Sequence, residues 1–328
     1  MKDLEIYGTL GPSCHDKETI IELFKAGMTG MRLNLSHCNL WDKKYWLSAL
    51  FEASSELDIT PALLIDMKGP ELRLGDMDEI EYFPVGSTVV FSSRFWPSEI
   101  VLNLEINDHV LIDDGKLEFL VENIENGFIH CKTTRSGYLY SHKSIAIKGK
   151  RVTGATLQDL DIQNLIRAKE YGVTGIMQPF VRSANDLIEL KKYLNELKLN
   201  DLKIYAKIEN LDGVENLEEI LPHCDHIVIA RGDLSNAVGL TKLPIIQKQI
   251  EDTCKKHKMP YMVVTEMLAS MIENEVPTRA EVSDIFHAVY NGASSIMLTG
   301  ETANGKHPIE AMTYFVNTAL EAKKILKK

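Results

Sequence analysis

The chain has 328 residues, and its 47 acidic side chains outnumber 36 basic ones for a net charge of −11. No long basic run is present, which excludes nucleic acid as a main partner, because neutralising phosphates needs clustered cations. No apolar run approaches the ~18 residues of a membrane span, the first ten residues lack a signal-type apolar core, and the five cysteines are scattered without metal-site spacing; a soluble cytoplasmic protein is expected.

In chain order, short apolar runs alternate with amphipathic stretches. Strands are predicted at 4–10, 30–35, 62–67, 175–180, 203–208, 226–230, 261–265 and 295–299. Helices are predicted at 16–26, 41–57, 157–170, 184–197, 214–221, 244–257, 279–290 and 308–326. Pro244 and Pro308 fall in first turns, and Ser183 is placed to cap a helix. Eight strand–helix units in strict alternation predict the α/β class, as a (β/α)₈ TIM barrel.

One interval breaks that rhythm. Between about 76 and 150 the pattern changes to short β-like runs at 88–91, 110–112, 117–121 and 128–133. Turn signals separate them at Pro84-Val85-Gly86, Asp113-Asp114-Gly115 and Glu125-Asn126-Gly127. The reading is a barrel made of 1–75 and 151–328, with a small β-barrel-like lid domain, 76–150, inserted after the third strand. Such a lid is expected over the C-terminal face, where barrels of this kind place their active sites.

The polar residues gather at the same strand ends. The second strand ends Arg32-Leu33-Asn34-Leu35-Ser36-His37, and the third ends Asp66-Met67-Lys68-Gly69-Pro70-Glu71-Leu72-Arg73. Lys207-Ile208-Glu209-Asn210, Arg231-Gly232-Asp233, Thr265-Glu266 and Thr299-Gly300-Glu301-Thr302 close four others. In a closed barrel these ends share one rim. Glu209 and Asp233, on neighbouring strands, offer the hard oxygens that Mg²⁺ takes from proteins, usually one or two carboxylates beside water and substrate. Lys207 lies two residues from Glu209, so a regular strand points both to one face. A cation next to a metal ligand suits phosphoryl transfer, where charge spreads over the equatorial oxygens. Arg32 and Arg73 add planar forks for phosphate, and Gly232 permits close backbone approach by a small anion.

These motifs resemble the pyruvate kinase family, from Thr9-Leu10-Gly11-Pro12-Ser13 through Phe180-Val181-Arg182-Ser183-Ala184 and Pro277-Thr278-Arg279-Ala280-Glu281 to Gly300-Glu301-Thr302-Ala303. The resemblance implies phosphoryl transfer between phosphoenolpyruvate and ADP, giving pyruvate and ATP. It assigns Mg²⁺ (or Mn²⁺) to Glu209 and Asp233, and K⁺ to Asn34, Ser36, Asp66 and the carbonyl of Met67, with Glu71 as the sign of K⁺ dependence. Lys207 matches the lysine on the transferring phosphoryl group, and Arg32 the arginine on the substrate phosphate, with Arg73 nearby. Gly232, Asp233 and Thr265 match the carboxylate pocket, and Thr265 and Thr299 the hydroxyls linked to enolate protonation. Pro12, His37, Arg73 and Lys143 match positions near the nucleotide, and Asp114 an aspartate of the inserted domain. A homodimer through barrel helices is compatible with the family.

The sequence also departs from the family pattern. Ser144-Ile145-Ala146-Ile147-Lys148-Gly149 replaces the usual return from the insert, Leu234-Ser235-Asn236-Ala237 replaces the usual residues after Asp233, and Pro179, Glu266 and Thr299 stand where Ser, Gln and Ser are common. The sequence stops after the eighth helix, where family members continue into an allosteric domain, so that regulation is not expected. Two other readings fit the same rim: a relative with a different acceptor or with enolate chemistry such as decarboxylation or aldol cleavage, and a non-catalytic binding protein of kinase descent.

Overall fold

The computed structural model describes residues 4–70, 72–113, 115–150, 152 and 155–326, so the expectations for Glu71 and Asp114 lie outside the described residues. The chain divides into two units, residues 1–69 with 156–328 and residues 70–155. The expected boundaries at 75 and 150 thus fall a few residues inside the second unit.

In the first unit, eight parallel strands close into a barrel: Glu5–Thr9, Gly30–Asn34, Ala62–Asp66, Gly175–Gln178, Lys203–Ile208, His226–Ala230, Tyr261–Val264 and Ser295–Met297. Each bonds to its neighbours in chain order, and the first bonds to the eighth. Alternate side chains divide between two cores. Tyr7, Leu64, Met177, Tyr205, Val228, Met262 and Met297 fill the interior. Ile6, Ile65, Ile176, Ile227 and Ile296 pack outward with the helix-facing apolar layer. Burial on both faces is why these strands read as continuous apolar runs rather than as alternating ones.

Several strands stop short of their predicted ends. The fourth ends at Gln178, because Phe180 adopts φ 51°, and the seventh ends at Val264, because Thr265 and Glu266 adopt φ 78° and 55°. Polar groups that leave the ladder this way are released to the rim. The helices Arg279–Tyr290 and Pro308–Leu326 match their predicted bounds. The first is fixed by a capping box in which Thr278 and Glu281 exchange hydrogen bonds. The helix expected at 214–221 is instead two short ones, Leu211–Glu215 and Leu217–Ile220, followed by a 3₁₀ turn. Asn210 caps the first, accepting from Gly213 N at 2.8 Å, and Asn216 breaks the run while its side chain donates to Arg182 O at 2.9 Å. An unexpected helix, Arg231–Val238, starts directly at the end of the sixth strand.

The second unit has its own apolar core, with Phe83, Phe91, Trp96, Phe119 and Ile129 among its members. Its five-stranded antiparallel sheet has the order Ile145–Ile147, His109–Ile112, Leu117–Glu125, Phe128–Arg135, Thr88–Ser92. The loop Asn126-Gly127, with φ 51° and 79°, makes the tight hairpin that the sequence advertised. Three three-residue strands, Glu81–Phe83, Gly137–Leu139 and Ile145–Ile147, and a helix at Ser98–Asn103 were not foreseen. Among the described residues, no helix is long and apolar enough to cross a membrane.

Glu251, only 1 % exposed on the helix Leu243–Lys256, is the misfit of the barrel's outer layer. One oxygen accepts from Gln247 at 2.9 Å and the other finds no partner. Burial raises its carboxyl above the usual range despite Lys255 and Lys248 nearby. A raised folded pKa means the group is tolerated below about pH 4, where both folded and unfolded chains hold the proton, and costs stability as pH rises. Glu251→Gln should therefore raise the thermal midpoint at pH 8 by on the order of 2 °C and leave it unchanged at pH 4, as scanning calorimetry at the two pH values would register.

Candidate active site

Register brings the polar strand ends together in pairs. Asn34 is the direct neighbour of Asp66 across the second and third strands. Ile208 is level with Ile229, so Glu209 and the Arg231-Gly232-Asp233 segment leave adjacent strands at the same end.

The centre is a chain of four charges. Asp66, 2 % exposed, receives Arg32 Nε at 2.8 Å and a second guanidinium nitrogen at 2.7 Å on one oxygen. Lys207 Nζ stands 3.1 Å from both Asp66 oxygens and 2.9 Å from Glu209 Oε1. Glu209, also 2 % exposed, accepts from Phe180 N at 2.7 Å with its other oxygen. The left-handed backbone of Phe180 accompanies that amide contact, a conformation costing about 1–3 kcal/mol in a non-glycine residue.

Electrostatics sort these groups. Burial pushes the Asp66 carboxyl up, but Lys207 and Arg32 outweigh it and hold the carboxyl below its ordinary range. Burial opposes the Lys207 charge, yet Asp66 and Glu209 outweigh it, so the ammonium is held more tightly than usual. Glu209 goes the other way: burial raises it, and the nearby Asp66 charge adds to the rise against the pull of Lys207. Glu209 keeps its ion pair with Lys207 at 2.9 Å throughout.

The sixth, seventh and eighth strands complete the rim. Asp233 is half-buried in the first turn of Arg231–Val238, where backbone N–H groups lack helical partners. Gly232 abuts the turn after the seventh strand; a Cβ there would stand 3.2 Å from Thr265 Cγ2. The Thr299 amide and hydroxyl both donate to buried Glu301 Oε2, at 2.7 and 3.2 Å, and Glu301 Oε1 accepts Leu268 N at 3.0 Å. Glu301 thus links the exits of the seventh and eighth strands, a role its place in the motif did not disclose.

The remaining expected residues fall as follows. Asn34 Oδ1 accepts Ser36 N at 3.1 Å, and Met67 N donates to Met177 O at 3.1 Å, so the four residues expected to hold K⁺ occupy adjacent strand exits. Pro12 and His37 are exposed on the loops after the first and second strands. Arg73 and Lys143 belong to the second unit. There Arg73 donates to His142 O at 2.7 Å, while Lys143 pairs with Asp113 at 2.7 Å and lies over the Tyr140 ring at 4.1 Å. Asp161 was missed altogether. This buried acid accepts Lys68 N at 2.8 Å and Gly69 N at 3.0 Å, fixing the turn after the third strand. Its signal was the Gln158…Asp161 capping spacing. Pro179 packs on the same turn, where a Cβ on Gly69 would stand 2.3 Å from Pro179 Cγ.

Among the described residues no group of three or more His, Cys, Asp or Glu side chains forms a metal cluster. The donor set of Glu209 and Asp233 fits a hard ion that keeps waters and substrate oxygens, Mg²⁺ or Mn²⁺, and not zinc.

Fold and rim together define an α/β-barrel protein with charged side chains gathered at one end of its strands. Comparison with known proteins agrees: the family model described as "Pyruvate kinase, barrel domain" matches residues 1–312. A pyruvate kinase of Staphylococcus saprophyticus is 34 % identical over 335 residues, covering 98 % of this chain and 57 % of that protein. Those of Staphylococcus aureus and Staphylococcus haemolyticus are 33 % and 32 % identical with the same coverage. The chain belongs to the pyruvate kinase family, and it spans 57 % of the length of these relatives.

Removing the central anion is the sharpest structural test. Asp66→Asn leaves Arg32 without its carboxylate and Lys207 with Glu209 alone, and should lower unfolding free energy at pH 7 by about 3–5 kcal/mol, measured by denaturant titration. In the wild type this stabilisation is present at neutral pH and fades as pH falls below about 4, so the two proteins should converge in acid.

Proposed function

We propose that the chain transfers a phosphoryl group between phosphoenolpyruvate and ADP, giving pyruvate and ATP, with Mg²⁺ (or Mn²⁺) and K⁺. The observation that carries this reading is the buried sequence of contacts Arg32–Asp66–Lys207–Glu209 at one end of the barrel. It keeps a protonated lysine and an arginine fork fixed beside a metal-ligating carboxylate before any substrate arrives. Such preorganised charge is what a transferring phosphoryl group requires.

In this reading Arg32 holds the substrate phosphate and Lys207 neutralises the equatorial oxygens as the bond from the enol oxygen breaks and the bond to ADP forms. Glu209 and Asp233 would hold Mg²⁺; Asn34, Ser36, Asp66 and the Met67 carbonyl would hold K⁺. The divalent ion, when bound, supplies charge neutralisation for the phosphate oxygens. Gly232 and Asp233 amides and Thr265 receive the substrate carboxylate. The enolate left behind takes a proton at its methylene carbon on the side of Thr265 and Thr299. Pro12, His37, Arg73 and Lys143 are the residues proposed to serve the nucleotide. Pairing of two chains through barrel helices belongs to the same reading. A cytoplasmic enzyme of central metabolism follows from the same reading.

A coupled assay tests it. Purified protein with phosphoenolpyruvate, ADP, Mg²⁺ and K⁺ should form pyruvate, and chelation of the divalent ion should abolish the reaction. Lys207→Met and Glu209→Gln should each lower kcat by about 10²–10³-fold. Absence of pyruvate with every nucleoside diphosphate would overturn the assignment. Metal-dependent proton exchange of pyruvate without nucleotide turnover would favour enolate chemistry in its place.

A further inference from the structure

Arg231 sits where helix physics would not put it. A cation in the first turn of a helix opposes the macrodipole, and this one is also largely withdrawn from water, with 12 % of its side chain exposed. Its planar head is used almost completely. One nitrogen donates to both carboxylate oxygens of Asp284, at 2.9 and 2.7 Å. Nε donates to Val264 O at 3.3 Å, and the remaining nitrogen to Thr265 O at 2.8 Å and Met267 Sδ at 2.8 Å. Asp284, on the helix Arg279–Tyr290, anchors the guanidinium from behind.

The two carbonyls matter most. The carbonyl of residue 264 marks the peptide plane before Thr265, and the carbonyl of residue 265 marks the plane after it. A rigid group bonded to both constrains φ and ψ of Thr265 together. The conformation so constrained is left-handed, with φ 78° at a β-branched residue and φ 55° at Glu266 beside it. The left-handed backbone sets the direction of the Thr265 side chain, whose methyl lies against Gly232. Lysine could not substitute, since one ammonium does not present a planar fork to several acceptors.

We propose that Arg231, braced by Asp284, is a positioning residue: it holds the Thr265 backbone left-handed and thereby aims the Thr265 hydroxyl. The inference rests on the proposed role of Thr265 in receiving the carboxylate and protonating the enolate. It adds to that reading a clamp that touches no substrate atom.

The test uses the whole chain and its Arg231→Ala, Arg231→Lys and Asp284→Asn variants. Pyruvate methyl-proton exchange and phosphoryl transfer are measured side by side, with and without added guanidinium. Arg231→Ala should lose at least tenfold in exchange kcat, with KM for ADP changed by less than threefold, and guanidinium should restore part of the rate. Arg231→Lys should remain defective, and Asp284→Asn should show a milder loss of the same kind while folding normally. Equal losses in exchange and in ADP KM without rescue would reduce Arg231 to a structural residue and overturn the proposal. So would wild-type rates in Arg231→Ala. Crystal structures separate this from the functional reading: Thr265 should leave positive φ in Arg231→Ala even if no activity is found in any form. Retention of φ near 78° in that variant would refute the clamp by itself.

Discussion

Two cations cannot stand together inside a barrel unless an anion is buried with them. In this protein that anion is Asp66, in contact with Arg32 on one side and Lys207 on the other. Burying any one of the three alone would be strongly unfavourable, and the geometry makes their burial mutual. Glu209 then stands on the far side of Lys207, buried and paired with it. The arrangement leaves the two cations of the site held in place by carboxylates. The rest of the fold serves this placement, because only a closed parallel barrel brings the ends of the second, third and fifth strands to one rim.

Around that centre, the exits of the strands are held by side chains outside the chain of four charges. Asp161 fixes the turn after the third strand through two amides. Glu301 ties the eighth strand's exit to the turn after the seventh. Arg231 and Asp284 pin the left-handed Thr265. Strain at Phe180 and Thr265 is thus confined to positions whose backbone is bound by charged partners, where the surroundings can hold it. This is a rim built for fixed geometry on its barrel side.

Most of the barrel was legible because its strands are buried on both faces and so contain uninterrupted Val, Ile, Leu and Met. The charged cluster was legible for the opposite reason: Arg32, Asp66, Lys207 and Glu209 are poor core residues at ends of strong core strands. What escaped reading depended on contacts distant in sequence or on unusual backbone. Arg231 finds Asp284 53 positions away, and no local pattern announces that. Thr265 and Phe180 look like strand residues by composition, and only their dihedrals remove them from the ladder. Asn216 reads as an ordinary helix position, yet its amide serves the carbonyl of Arg182 and the helix breaks there. In the second unit, three-residue strands such as Ile145–Ile147 are too short to carry a period.

The charged rim is assembled before any ligand arrives, and the proposed function needs a divalent cation to complete it. Calorimetric titration of the protein with phosphoenolpyruvate, with and without Mg²⁺, tests that need. Binding should require Mg²⁺ and should be lost in Glu209→Gln. Binding of equal strength without the metal, and undiminished in Glu209→Gln, would rule out a metal-completed rim.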